Sequence, residues 1–78
     1  MKIINTIKTK NGKINVYDND LYLLRKRFSS YRSLLMNKED LFYDLIDSGF
    51  IIQKFELCLG VRNNKIVFYL DISMRYLK

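Results

Sequence analysis

Positions 25, 26, 27 and 32 carry Arg25, Lys26, Arg27 and Arg32, four cations within eight residues. An arginine fork matches the oxygens of a phosphate or carboxylate, so this cluster is the first candidate contact for an anion. Long cationic side chains also serve to shield apolar neighbours at a solvated surface. A second set, Lys8, Lys10, Lys13, Tyr17, Lys54, Tyr69 and Arg75, is expected on the outer side of two predicted hairpins. Basic residues interleaved with tyrosines on a sheet can track a phosphate backbone and stack bases.

Other chemistries are poorly supplied. The chain has no histidine, one cysteine (Cys58) and eight carboxylates. Histidine is the usual acid or base near neutral pH, and zinc sites draw on clusters of cysteine and histidine. Cys58 has no cationic neighbour in sequence to lower its pKa. Asp40, Asp44 and Asp47 share a helical face, but carboxylates on one straight helix seldom surround a cation. Glu56 and Asp71 are expected opposite one another, a like-charge pair that nothing in sequence orients for acid/base work. Gly12, Gly49 and Gly60 are isolated and make no phosphate-cradling loop. The reading assigns no catalytic residue, no metal ligand and no cofactor: a binding protein, not an enzyme.

The elements that hold these residues follow from periodicity. Asn11-Gly12 lies between two alternating segments and predicts a β-hairpin with a type I′ turn, Ile7 opposing Val16 and Thr9 opposing Ile14. Asp18-Asn19-Asp20 offers N-cap residues, and Leu21, Leu24, Phe28, Tyr31 and Leu35 then recur at helical spacing. The expected first helix thus carries the cluster Arg25–Arg32. Asn37 and Asp40 suggest a capping pair for a second helix, Lys38–Ser48, stopped by Gly49. A longer hairpin, 50–61 and 66–74, turns at Asn63-Asn64. That register sets Val61 against Ile66, Leu59 against Phe68, Leu57 against Leu70 and Phe55 against Ile72. Every pair is apolar, and a slip of one residue would destroy the pattern. The expected fold is α+β, a ββααββ two-layer domain spanning residues 1–78: a four-stranded antiparallel sheet of two hairpins with two helices on one face. The hairpins are expected to meet through Ile3–Lys8 and Ile66–Met74.

Charge and composition bound the partners. Net charge is +6, which favours polyanions or acidic proteins. Residues 20–36 hold four cations and one carboxylate (+3), whereas 38–48 hold one lysine and four carboxylates, Glu39, Asp40, Asp44 and Asp47 (−3). Helices packed side by side would satisfy part of the basic cluster internally, which tilts the expectation towards an acidic protein partner. Alanine, proline and tryptophan are absent, while Ile, Lys, Asn, Tyr and Phe make up 36 of 78 residues. Alanine is normally common and is the best helix former, so structure does not explain its loss; an AT-rich genome does. Such a chain is comparable in type to small phage proteins that disable host enzymes or defence systems. The expected function is a non-catalytic inhibitor encoded by a phage or mobile element, occupying an acidic surface of a host protein or nucleoprotein complex. The alternative is a small basic DNA- or RNA-binding regulator. No stretch approaches the roughly twenty apolar residues of a membrane span, and one unpaired cysteine suits the cytoplasm. Leu23 and Leu34 lie outside the main stripe of the first predicted helix and suggest a homodimer contact.

Overall fold

The computed structural model describes residues 2–77. Its elements are β1 (Ile3–Thr9), β2 (Gly12–Tyr17), β3 (Tyr22–Phe28), α1 (Tyr31–Asp47), β4 (Phe50–Arg62) and β5 (Lys65–Tyr76). The strands form one antiparallel sheet in the order β1-β2-β3-β5-β4, with α1 packed on one face. The ββααββ expectation is corrected on three counts. Among the described residues there are five strands instead of four and one helix instead of two. The hairpins also do not meet through β1: β5 pairs with β3, and β1 is an outer edge.

The difference lies in residues 20–36, where a strand replaces the expected helix start. Tyr22, Leu24 and Phe28 alternate towards the helix side, and Lys26 occupies the inward position between Leu24 and Phe28. One inward lysine interrupts the two-residue period and leaves 21, 24 and 28 looking helical. The half-buried Lys26 resolves its own conflict by sending its ammonium to the Asn11 carbonyl, 3.4 Å away. Pairing on both sides, with β2 and with β5, makes β3 an internal strand. Its ladder hydrogen bonds and the burial of Leu24 override the helical periodicity.

The helix starts at Ser30, whose hydroxyl accepts from the Ser33 amide at 3.1 Å. Asn37 does not cap a second helix. Its side-chain amide donates to the Ser33 carbonyl at 2.7 Å, one turn back, and α1 runs on unbroken. The stop is as expected: Ser48 is the C-cap and Gly49 follows with φ +96°.

The second hairpin has the expected register from its Asn63-Asn64 turn (φ +52° and +60°) as far as Lys54 opposite Ser73; a bulge between Ile52 and Lys54 then shifts Ile52 onto Met74. The first does not. Ile7 pairs with Ile14 and Thr9 with Gly12, so the loop is Lys10-Asn11 and the positive φ falls on Gly12 (+123°) rather than on Asn11. Thr9 fixes that loop: its hydroxyl donates to the Gly12 carbonyl (2.8 Å) and accepts from the Asn11 amide (3.1 Å).

The core lies between α1 and the central strands. Ile14, Leu24, Ile72 and Met74 are fully buried, covered by Leu34, Leu41 and Leu45 of the helix. Tyr22, Phe50 and Tyr76 close the end of this core with ring centroids 5.2–6.0 Å apart. Among the described residues no helix lies over the opposite sheet face. The β4–β5 hairpin is the longest feature, and it sets a molecule of 39 × 26 × 20 Å.

Candidate anion-binding face

Alternation along each strand decides which side chains reach the uncovered face. With Ile14, Leu24, Leu70 and Ile72 turned to the core, the residues between them turn outward. Lys8 and Lys13 come from the first hairpin, Arg25 and Arg27 from β3, and Lys54, Arg62, Lys65 and Arg75 from the second hairpin. Among the described residues of the strands, these eight cations stand against two carboxylates, Glu56 and Asp71. Tyr17 and Tyr69, both half-buried, share the face.

Two of the cross-strand pairs join cation to cation. Lys8 lies directly opposite Lys13, and Arg62 directly opposite Lys65. Such pairs cost stability unless an anion sits between them. Glu56 opposes Asp71 as expected, but that repulsion is relieved on both sides. Lys54 reaches Glu56 at 3.4 Å, and Arg25 grips Asp71 with Nε to Oδ1 at 2.7 Å and Nη2 to Oδ2 at 2.8 Å.

The Arg25–Asp71 pair anchors the middle of the face. The two residues are registered opposite one another across β3 and β5. The Arg25 hydrogen bonds hold the Asp71 carboxyl below its ordinary pKa, and Asp71 raises the already high pKa of Arg25. The same guanidinium lies over the Tyr69 ring, 4.9 Å from its centroid. Tyr69 leans across Gly60, where a Cβ would come within 2.7 Å of the ring. Cys58 donates to Asp71 at 3.4 Å. Its thiol is pushed up by burial and then by that carboxylate, which keeps it in the neutral form.

Around this centre the surface is shallow. The dip there measures ≈ 820 Å³ and is lined by Lys13, Asn15, Leu23, Arg25, Arg27, Arg62 and Tyr69. A second dip of ≈ 390 Å³ continues through Arg27 and Arg62 to Lys65 and Asn63 at the hairpin tip. The two share Arg27 and Arg62 and so form one basic track across the sheet.

The sequence-predicted sites are redistributed. Arg25, Lys26 and Arg27 are strand residues rather than helix residues, and strand alternation sends Lys26 to the helix side and its neighbours to the open face. Only Arg32 belongs to α1. Of the sheet set, Lys8, Lys13, Tyr17, Lys54, Tyr69 and Arg75 lie on the open face, and Arg75 bonds the Asn19 carbonyl in the β2–β3 loop. Lys10 does not: displaced into the turn, it reaches Asp44 of α1 at 3.4 Å. Leu34 is buried in the core and Leu23 is on the opposite face, so they share no surface for a homodimer. Arg62 and Lys65 were missed, although the register through Asn63-Asn64 already placed them beside Lys54, Tyr69 and Arg75 in alternation.

No protein family, curated protein or solved structure matches the chain. Among the described residues no helix is long and apolar enough to cross a membrane.

Proposed function

We propose that the chain is a non-catalytic binding protein that takes a nucleic-acid strand on the open face of its sheet. The supporting observation is the separation of charges. Glu39, Asp40, Asp44 and Asp47 sit on α1, on the far side of the sheet from Arg25, Arg27, Arg62 and Lys65. The acidic helix that would have competed for the cluster therefore engages Lys10 instead. Cations left together, including two like-charged cross-strand pairs, are relieved by phosphates. Tyr69 and Arg25 add an aromatic and guanidinium surface of the kind that unstacked bases use.

The same face supports a second reading, with an acidic surface of a host protein or nucleoprotein complex as the partner. Half-buried Leu23 and Val67 among the cations favour it, because protein interfaces mix apolar contacts with arginine. In that case the chain is an inhibitor of the phage or mobile-element kind. Both readings put the activity in the cytoplasm, which the single cysteine supports.

The test is fluorescence anisotropy on a labelled single-stranded oligonucleotide across a salt series. For the wild type, log affinity should fall linearly with log salt, by about 0.7 per phosphate neutralised on a single strand. Changing Lys13, Arg27 and Arg62 together to Gln should weaken binding and flatten that slope by about two units, with the circular dichroism spectrum unchanged. An affinity indifferent to salt, or untouched by the triple change, would sink the nucleic-acid reading. Recovery of a protein partner from nuclease-treated host lysate, lost in the triple variant, would select the second reading.

A further inference from the structure

We infer that the chain forms a two-fold dimer through an apolar step on its helix side, away from the basic face. The β4–β5 hairpin extends beyond α1. Its outer half turns Leu57, Leu59, Val61 and Ile66 to the helix side of the sheet, where they remain 46%, 67%, 77% and 62% exposed. The flank of α1 rises beside this floor as a wall, with Tyr31 at 48% and Leu35 at 43% exposure. Tyr31 stands on Phe68 (5.9 Å between centroids), and the Phe42–Phe55 contact (5.6 Å) closes the near end. Floor and wall are therefore one continuous surface.

A second copy is the occupant that this shape fits. The exposed area of those six side chains is on the order of 600 Å², at the upper end for a monomer's largest apolar patch. With its rim it approaches the ~800 Å² per partner of a stable interface. The wall is one helix high, ~10 Å, and two sheets pack face to face at ~10 Å. Two such steps related by a two-fold axis therefore interlock, floor on floor, with each wall against the edge of the other floor. Such an isologous contact closes on itself and does not propagate. The cations of the open face are no obstacle, because those faces of both copies point outward, and at the Phe42–Phe55 end Lys38 is accompanied by Glu39. The register also explains why the pattern of apolar pairs is strict as far out as Val61/Ile66: alternation that specifies nothing inside one chain specifies the floor between two.

The proposal is independent of what the basic face binds, and so is its test. Protein freed of nucleic acid by nuclease and high salt is sized by sedimentation equilibrium from low micromolar to near-millimolar concentration. The expected result is a dimer that persists at high salt, where an anion complex would dissociate. Leu59→Lys with Val61→Glu should give a monomer with unchanged circular dichroism, since both side chains are already exposed within one chain. The milder pair Leu59→Gln and Val61→Thr should raise the dimer dissociation constant at least tenfold and guards against misfolding of the first. A wild type that stays monomeric throughout overturns the proposal and leaves the step to a different protein. A dimer indifferent to both pairs of changes also overturns it.

Discussion

Asp71 shows how one side chain couples stability to the ligand face. Its carboxylate takes both arms of the Arg25 fork, and its pKa is lowered, first of all by those hydrogen bonds. A carboxylate with a depressed folded-state pKa stabilises the fold above the ordinary carboxylate range. That contribution is lost as pH falls through the depressed value. Arg25 is more than half exposed, so solvent limits the pair to about 1 kcal/mol. Asp71→Asn should therefore lower stability by about 1 kcal/mol near neutral pH, and the gap from wild type should close below pH ~4. Denaturant titrations between pH 7 and 2 would measure it. The same change frees a guanidinium, so oligonucleotide affinity should rise while stability falls. A fall in both would mean that Asp71 serves only to hold Arg25 in its binding position.

At the scale of elements, the boundary between β3 and α1 rests on a short polar joint. Ser29 and Ser30 separate Phe28, the last residue of the strand, from Tyr31, the first of the helix. Ser30 has extended backbone, and its hydroxyl takes up an amide that the helix would otherwise leave unpaired. Ser30→Ala should cost about 1 kcal/mol, whereas Ser30→Asp should keep the cap. Thermal denaturation of the two variants separates them, and equal losses would show that the start of the helix is held by Leu34 and Leu41 packing instead. Asn37 illustrates the converse. A residue suited to capping bonds back to Ser33 within the helix because burial of Leu34, Leu41 and Leu45 fixes a single helical axis on both sides of it.

Across the whole molecule, sidedness governs charge and greasy surface alike. One face of the sheet gathers cations, and the other gathers the helix, its carboxylates and the apolar step. Lys8 and Lys13 repel across β1 and β2, so Lys8→Gln should leave stability equal or slightly higher in low salt while weakening oligonucleotide binding. The difference should fade as salt rises. A clear loss of stability in low salt would show that this pair is already satisfied within the chain.

Features set by near neighbours were legible in the sequence. The second hairpin needed only Asn63-Asn64 and a run of apolar residues matched two by two, and its register as far as Lys54 follows without reference to anything else. It also placed Lys54, Tyr69 and Arg75 on one face. Gly49 and the absence of histidine were equally plain. Where two local readings competed, tertiary structure decided. Residues 22–28 satisfy a helical period as well as a strand interrupted by Lys26, and only pairing with strands on both sides, β5 from the far end of the chain among them, selects the strand. That choice moved Arg25 and Arg27 to the open face and parted them from the acidic residues of α1. The Arg25–Asp71 bond spans 46 residues of sequence. No local period encodes such a contact; it exists because β5 inserts between β3 and β4, where its backbone groups and its buried side chains are satisfied on both sides at once.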